Sequence, residues 1–283
     1  MIVIGYDGSP GSRSALEWAA AAADRMAAPL RIVEAFEVVL VTRPSPGKIV
    51  PLEAVRTARQ QGLDKVAAAV REQYPTLKVE TSLVGGAAAK TLVDAAQDAR
   101  LVVLGSRGLG GWSSLLVGSV AVQVTTHAEC PVVVVPHEQH PLPDRTVVVG
   151  VDGSKASAKA IDFAFDQADA LHAQVVAIHA WTTPYLTYAD GPSMLQFDED
   201  LIDQEARLLV AESMAGAAAD HPDVEWTTEL ATGSAAQALV RRSASADLVV
   251  VGSRGRGGFS GLSLGSVSQS VLHHAHCPVA VVH

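Results

Sequence analysis

The sequence contains LVVLGSRG at residues 101–108 and, after nine intervening residues, Gly-Ser at 118–119. The same pattern returns 147 positions downstream, as LVVVGSRG at 248–255 and Gly-Ser at 265–266. Each copy begins with an apolar run that is typical of a buried strand and ends on a helical pattern. A strand, a glycine loop and a helix in this order predict a phosphate-binding turn, although a flexible Gly/Ser connection has the same composition.

Both loops have the features that binding a polyphosphate requires. Glycine lets the backbone approach an anion closely, because it adopts positive φ and has no Cβ. The Gly-Ser pair then starts a helix, whose free N–H groups and positive dipole end favour negative charge. The serine hydroxyl can cap the helix or reach the anion. Two copies with identical internal spacing favour phosphate binding over a flexible turn.

Further matches extend the repeat over nearly the whole chain of 283 residues. IGYDGS at 4–9 corresponds to VGVDGS at 149–154, and HAECPV at 127–132 corresponds to HAHCPV at 274–279. A repeat of this length indicates two duplicated globular domains rather than a solenoid. Prolines within 136–145 exclude a helix interior or a central strand there, which indicates a linker. We predict a first domain at 1–137, a linker at 138–145 and a second domain at 146–283.

Within each half, short β-branched runs alternate with longer amphipathic stretches, as in α/β proteins. In the first half we predict strands at 2–6, 30–36, 77–84, 101–104 and 132–135 and helices at 12–26, 52–73, 88–99 and 119–127. In the second half we predict strands at 147–151, 175–181, 224–231, 248–251 and 279–282 and helices at 157–171, 198–219, 235–244 and 266–275. Each domain is therefore predicted to be a five-stranded, mostly parallel sheet with helices on both faces. The less regular segments 38–51 and 182–197 are interpreted as lids over a ligand or as simple surface excursions.

Composition and charge limit the kinds of partner that this protein is expected to bind. The net charge of −9 and the lack of a Lys/Arg-rich block argue against binding to nucleic acid or to an anionic membrane. No apolar run approaches the roughly 18 residues of a spanning helix, and the first residues enter a strand without a charged leader. We therefore predict a cytoplasmic protein with no membrane partner.

The two cysteines, Cys130 and Cys277, occupy matching positions in the two halves. A disulfide is not needed at this size and is unusual in a reducing compartment, so we predict two reduced, buried structural thiols. The alternative is that the halves pack symmetrically and bring the two thiols close enough to oxidise under stress.

An acidic residue is predicted to lie beside each glycine loop. Ligands of open parallel sheets collect at the carboxyl ends of the strands where the strand order reverses, which places the end of the first strand next to the fourth. Asp7 and Asp152 lie there, just after Gly5 and Gly150. A carboxylate repels phosphate unless it binds a metal ion or hydrogen-bonds the nucleoside. Alternatively, the Asp-Gly-Ser sequence caps the following helix, and the two roles can coexist.

The chain resembles the universal stress protein family in its tandem-domain form. The resemblance covers both halves and rests on the Gly-x2-Gly-x9-Gly-Ser loop, the Asp-Gly-Ser that follows the first strand and the closing His-x2-Cys-Pro-Val segment. It implies the strand order 3-2-1-4-5, ATP binding in each domain and pairing of the domains through their last strands. Such pairing would cover the valine-rich edges at 132–135 and 279–282, which are an aggregation hazard when exposed. A homodimer and an unidentified partner protein are also compatible with the sequence.

The resemblance also implies which residues contact ATP. Phosphate contacts are implied for Gly105, Gly108, Gly118, Ser119 and Val120, and for Gly252, Gly255, Gly265, Ser266 and Val267. Ser106, Arg107, Ser253 and Arg254 lie in the same loops, where the arginines add positive charge. Asp7 and Asp152, with Gly5 and Gly150 beside them, are implied to lie near the nucleoside or near a magnesium ion held with the ATP phosphates. The backbone at Ala35 and Ala180 is implied to contact the adenine edge.

The two halves differ at a few of these positions. Arg256 follows Gly255, whereas no basic residue lies between Gly108 and Gly118, so the second site is expected to hold a triphosphate more tightly. His179 matches a histidine that the family usually has on the second strand, and Glu34 replaces it in the first half. No loop glycine is lost, so both sites are expected to bind.

The predicted function is an ATP-binding regulatory or sensor protein of the stress response, whose nucleotide occupancy changes the partner that it meets. The alternative is a slow ATPase or nucleotidyl-transfer enzyme that uses the same sites with a metal ion. The Gly-x4-Gly-Lys-Ser/Thr pattern is absent, and no second acid, base or nucleophile recurs beside both loops, which favours the regulator. Slow hydrolysis through Asp7 or Asp152 with a metal stays open. Redox sensing by the cysteines is a third interpretation.

Overall fold

The computed structural model describes residues 1–37, 51–109, 117–137, 145–181, 187–188, 191–192, 199–256 and 264–283. The chain divides into two compact units, residues 1–138 and 139–283. The predicted segment 38–51 and the predicted linker 138–145 lie outside the described residues except for residues 51 and 145, and of the segment 182–197 only residues 187–188 and 191–192 are described.

The first unit contains a five-stranded parallel sheet. Its strands are β1 (Ile2–Gly5), β2 (Leu30–Phe36), β3 (Val79–Gly85), β4 (Leu101–Gly105) and β5 (Val132–Val135). The described helices are α1 (Pro10–Arg25), α2 (Leu52–Gln73), α3 (Ala88–Ala96) and α4 (Ser119–His127). The strand order is β3-β2-β1-β4-β5, which confirms the order 3-2-1-4-5.

The second unit repeats this arrangement in β6 (Thr146–Gly150), β7 (Gln174–Trp181), β10 (Trp226–Thr232), β11 (Leu248–Gly252) and β12 (Val279–Val282). Its described helices are α5 (Lys155–Leu171), α6 (Glu199–Asp220), α7 (Ala235–Ser243) and α8 (Ser266–His274). The order β10-β7-β6-β11-β12 is again 3-2-1-4-5, and all four pairings are parallel. Two short strands that the periodicity did not predict, β8 (Thr187–Tyr188) and β9 (Gly191–Pro192), form a separate antiparallel pair.

The sequence pattern explains why these segments fold as they do. Val102 of β4 and Val249 of β11 have no exposed surface, as expected for β-branched residues in a parallel sheet that is covered on both faces. Helix α2 buries Leu63, Ala67 and Val70, whose spacing puts them on one face of the helix. Within the described ranges, no helix combines the length and the apolar character that crossing a bilayer requires.

The direction of the crossovers determines where a ligand can lie. Parallel crossovers are right-handed, so the reversal of strand order after β3 puts α1 and α2 on one face of the sheet and α3 and α4 on the other. The packing agrees, because α3 contacts α4 in the first unit and α5 contacts α6 in the second. The loops after β1 and β4 therefore leave the sheet toward opposite faces, and a crevice opens between them.

Most predicted boundaries lie within three residues of the observed ones. Helix α1 begins two residues earlier than predicted because Ser9 is its N-cap and Pro10 occupies the first turn, where the missing N–H of proline costs nothing. The Ser9 Oγ atom accepts a hydrogen bond from the Ser12 N–H at 3.1 Å. In the second unit, the Ser154 Oγ atom accepts the same bond from the Ser157 N–H at 3.1 Å.

Both cysteines are free thiols. Cys277 is buried, with 7% of its surface exposed, and Cys130 is half-buried. Burial raises the pKa of Cys130, and burial together with the nearby Asp247 carboxylate raises the pKa of Cys277 to about 12. Because the thiolate is the reactive form, these environments favour the structural interpretation over a redox sensor.

We expect iodoacetamide at pH 8 to alkylate Cys277 at least about 100-fold more slowly in the native protein than in urea, because a pKa near 12 leaves roughly a thousandth of the thiolate of an ordinary cysteine. Timed quenching and peptide mass spectrometry measure the rate, with the half-buried Cys130 as the internal comparison. Equal alkylation rates in native and unfolded protein would contradict the assignment.

For the same reason, the contribution of Cys277 to the free energy of unfolding should fall as the pH rises from 9 toward 12, where the unfolded thiol loses its proton first.

Candidate functional site

A cavity lies in the crevice of each unit, at the carboxyl ends of the two strands where the order reverses. It has a volume of about 370 Å³ beside β1 and β4 and about 480 Å³ beside β6 and β11. Both volumes fall within the range of roughly 300–1,000 Å³ that is usual for small-molecule sites.

The structure brings nearly all the sequence-predicted site residues together around these cavities. The first cavity is lined by every predicted residue of its unit: Gly5, Asp7, Ala35, Gly105, Ser106, Arg107, Gly108, Gly118, Ser119 and Val120. The second is lined by Gly150, Asp152, Ala180, Gly252, Arg254, Gly255, Gly265, Ser266 and Val267.

Ser253 is the exception, because it does not line the second cavity. It is 4% exposed, its N–H donates to the Val282 carbonyl at 2.6 Å, and its carbonyl accepts from the Gly265 N–H at 2.8 Å. These bonds join the glycine loop to the last strand and to the start of α8. Ser106 makes the same two bonds, to the Val135 carbonyl and from the Gly118 N–H, so the two serines differ in burial and not in main-chain contacts.

In each unit one carboxylate joins two loops. The Asp7 Oδ1 atom accepts from the Ser9 N–H at 2.9 Å, and its Oδ2 atom accepts from the Leu109 N–H at 3.0 Å. Asp152 makes the same two bonds, from the Ser154 N–H at 2.9 Å and from the Arg256 N–H at 3.0 Å. The carboxylate thus ties the turn that starts the first helix of its unit to the glycine loop that follows the fourth strand.

These contacts also affect the ionisation of Asp7. Partial burial by itself would raise the pKa of this carboxyl, but hydrogen bonds from Ser9, Leu109 and Ser12 outweigh it and lower the pKa below its ordinary value of 3.8. Asp7 is therefore ionised at neutral pH, and the cavity holds a fixed negative charge.

Two glycines of each loop are required by close packing. A Cβ on Gly105 would lie 2.5 Å from the backbone carbon of Gly11, at the start of α1. A Cβ on Gly252 would lie 2.8 Å from the Ala156 carbon. The second glycine of the loop, Gly108, meets Asp7, since its Cβ would lie 2.5 Å from the Asp7 Oδ2 atom. In the second unit, Gly255 faces the Asp152 carboxylate in the same way.

The third glycine of each loop has no such packing reason. A Cβ on Gly118 would meet its nearest neighbour at 3.6 Å, and one on Gly265 at 3.5 Å, which are ordinary contact distances. Both glycines are helix N-caps with extended backbone, and neither provides a side chain to cap α4 or α8. The first N–H groups of these two helices are left without a capping side chain beside the cavity.

Part of the wall of each cavity is apolar, and these residues were not predicted from the sequence. Val33, Ala88 and Leu92 line the first cavity, and Ile178, Ala235 and Leu239 line the second. The internal repeat could have pointed to these residues, because the two sets occupy matching positions in the two halves, at the same offsets as the rest of the duplication. Helices α3 and α7 thus contribute one side of each site.

The predicted strand histidine and its replacement do not line the cavities. The Glu34 carboxylate is buried and pairs with Arg59, with 2.6 Å between Oε1 and Nη1. The His179 Nδ1 atom lies 2.7 Å from the Val151 carbonyl. Within the described residues, no group of three or more His, Cys, Asp or Glu side chains is arranged to hold a metal ion.

Comparison with known proteins identifies the family. The model of the universal stress protein family matches residues 1–136 and 144–283. Universal stress protein Rv2005c and Universal stress protein Rv2623 of Mycobacterium tuberculosis are 35% and 36% identical to this chain, cover 99% of it and are themselves covered over 96% and 95% of their lengths. The fold is shared with a universal stress protein from Archaeoglobus fulgidus, with a TM-score of 0.68 at 22% identity over 99% of this chain and 97% of that one. The chain belongs to the universal stress protein family.

The two kinds of glycine should respond differently to alanine. We expect Gly105→Ala to lower the free energy of unfolding by about 1–3 kcal/mol, because its Cβ would collide with the backbone of α1. Gly118→Ala should cost less than about 1 kcal/mol, since its Cβ has room and only the preference for glycine over alanine at the N-cap is lost. Urea denaturation of both variants measures the difference, and Gly252→Ala and Gly265→Ala repeat the comparison in the second unit. Equal losses at the two positions would show that packing does not separate these glycines.

Proposed function

We propose that this protein is an ATP-binding regulatory protein of the stress response with one nucleotide site in each domain. The observation that carries the proposal is the pairing, in each cavity, of an uncapped helix start with an apolar wall. The first suits phosphate and the second suits a nucleobase. Membership of a family whose mycobacterial relatives are named universal stress proteins supports the link to stress.

The phosphate end is supported by a contrast between the first and the last helix of each unit. Helices α1 and α5 begin with serine caps, Ser9 and Ser154, whose hydroxyls accept N–H bonds. Helices α4 and α8 begin with Gly118 and Gly265 and have no side-chain cap. The unmatched N–H groups and the positive dipole end are suited to phosphate oxygens. Glycine is not needed there for packing, so its small size leaves space for an anion.

The base end is supported by the apolar side chains across the cavity. Leu92 and Val33 in the first unit, and Leu239 and Ile178 in the second, provide surfaces on which the flat face of a purine can pack. Ala35 and Ala180 line the same cavities, on the strands that carry Val33 and Ile178, and their backbone groups would meet the polar edge of adenine. An apolar pocket with a few polar groups that fix orientation is the usual form of a cofactor site.

The residues present also fit a magnesium ion that enters with the nucleotide. Mg²⁺ usually binds one or two carboxylates together with substrate phosphates and water. Asp7 and Asp152 would supply the carboxylate, because each oxygen that accepts one N–H bond retains a further lone pair. Such an ion would also offset the repulsion between the carboxylate and the phosphates.

A regulatory role follows from the energetics of binding at this place. A ligand that contacts the loops after β1 and β4 stabilises the conformation that it fits, by an amount set by its concentration relative to its dissociation constant. The nucleotide can change the surface offered to a partner only through this difference in affinity between conformations. We propose ATP occupancy as the signal that the protein transmits.

The proposal is tested by placing a carboxylate at each helix start. We expect wild-type protein to bind two equivalents of Mg·ATP by isothermal titration calorimetry, Gly118→Asp or Gly265→Asp to bind one, and the double variant to bind none. The aspartate would occupy the free N–H groups and repel phosphate, which should weaken that site by roughly 100-fold or more.

Asparagine at the same positions is the matched control, because it caps a helix as well as aspartate without the charge. Gly118→Asn and Gly265→Asn should lose less affinity than the aspartate variants, and all four variants should keep the thermal midpoint of the wild type. Mass spectrometry identifies any nucleotide released from the purified protein, and ADP formation is followed in the same samples. Undiminished ATP binding by the double aspartate variant would overturn these sites, and rapid turnover would favour an enzyme.

A further inference from the structure

One of the differences between the two cavities is a change of charge on matching backbone. The Leu109 N–H donates to Asp7 Oδ2 at 3.0 Å, and the Arg256 N–H donates to Asp152 Oδ2 at 3.0 Å. Both residues line the cavity of their unit. The main chain is therefore held in the same way, and the local difference is a neutral side chain in one site and a guanidinium in the other.

The guanidinium of Arg256 contacts a glycine turn. It lies against Gly153, where a Cβ would collide with it. Gly153 has a φ of +72°, and the matching Gly8 has a φ of +80°, so the two turns have the same form. Among the residues that the structure describes, nothing lies within 4 Å of the Cβ position at Gly8. The first unit thus has an open position beside Gly8 that matches the position of the Arg256 guanidinium beside Gly153, but residue 109 is a leucine.

The Arg256 guanidinium lies close to acidic residues of α6 without pairing with one of them in the described part of the chain. Glu205 and Glu212 of α6 line a groove that Arg256 shares, yet among the described residues the structure records no ion pair between this guanidinium and a carboxylate. Arg256 is exposed and lines the same cavity as Gly265 and Ser266 at the start of α8. Its guanidinium is therefore available to a phosphate group bound at that helix start.

We propose that Arg256 is a specificity-determining residue that makes the second site select a nucleoside triphosphate over the diphosphate, whereas the first site, with Leu109, does not read the terminal phosphate. The inference rests on the proposed function, since it assigns a preference to the same sites. A guanidinium binds phosphate oxygens through two parallel hydrogen bonds, and the terminal phosphate adds both oxygens and charge within its reach.

The test isolates each site in the full-length chain. Gly118→Asp leaves the second site and Gly265→Asp leaves the first, and each is titrated with Mg·ATP and Mg·ADP. We expect the second site to prefer ATP by roughly 10- to 100-fold, the range of a charge-assisted hydrogen-bond pair, and the first site to show less than about a threefold preference.

Reciprocal substitutions then move the preference. In the Gly118→Asp background, Arg256→Leu should weaken ATP binding by roughly 10- to 100-fold and leave ADP binding nearly unchanged. In the Gly265→Asp background, Leu109→Arg should create an ATP preference, because Leu109 is 73% exposed and the position beside Gly8 is open. Arg256→Lys, which keeps the charge and loses the planar fork, should give an intermediate ratio.

Two glycine variants test whether the ATP preference depends on the position of the Arg256 guanidinium beside Gly153. Gly8→Ala and Gly153→Ala bring the same strain, because both glycines have positive φ, but only Gly153→Ala displaces the guanidinium. The ATP to ADP ratio should therefore fall in the second site and stay constant in the first.

The possible failures have different causes. If neither site binds nucleotide, the proposed function fails and this inference fails with it. If both sites bind and their ATP to ADP ratios are equal, or if Arg256→Leu leaves the ratio of the second site unchanged, the role of Arg256 is overturned while the nucleotide sites stand.

Discussion

In each unit the two loops of the cavity are connected by a carboxylate that accepts one N–H from either side. Asp7 holds Ser9 and Leu109, and Asp152 holds Ser154 and Arg256. The loops follow strands that are neighbours in the sheet but far apart in sequence, and their helices pack on opposite faces. The parallel ladder fixes the strands, and the carboxylate fixes the loops above them. The floor of the cavity is therefore organised by the fold before any ligand enters, which reduces the entropy that binding must overcome.

This connection explains most of the glycine pattern that marks the loop. Gly108 and Gly255 have no side chain because the carboxylate lies where a Cβ would be, and Gly105 lacks one because the start of α1 lies there. Of the three glycines that define each motif, all of them in the described part of the chain, the third one, Gly118 or Gly265, has no packing requirement. A motif that the sequence presents as a single phosphate-binding unit thus combines two glycines that hold the loop and one that keeps the helix start open. The steric surroundings separate these roles, whereas spacing along the chain cannot.

Much of the architecture was predictable because periodicity and burial report local conformation directly. The valine runs at 101–104 and 248–251 are buried strands, and the helix predicted at 119–127 has those bounds. The site was only partly predictable. Hydrophobic spacing indicates that Leu92 lies on the apolar face of a helix, but not that this face borders a cavity. Ser106 and Ser253 make the same main-chain hydrogen bonds to the last strand and from the third loop glycine, yet Ser106 lines its cavity and Ser253 does not. Such differences depend on the direction of a side chain, which tertiary contacts decide.

Because of the duplication, the two units of this chain hold their cavity loops by the same main-chain contacts but differ in the side chains that the loops expose. The conserved part is made of main-chain bonds, steric gaps and strand pairing, all of which tolerate few substitutions. The differing part is made of exposed side chains, such as Leu109 and Arg256, whose exchange disturbs no packed core. A difference in charge at the rim changes the affinity for one ligand relative to another without changing the architecture. If both cavities bind nucleotide, one chain can respond to the total nucleotide through one site and to its phosphorylation state through the other, because each site shifts the conformational equilibrium only by its own differential affinity.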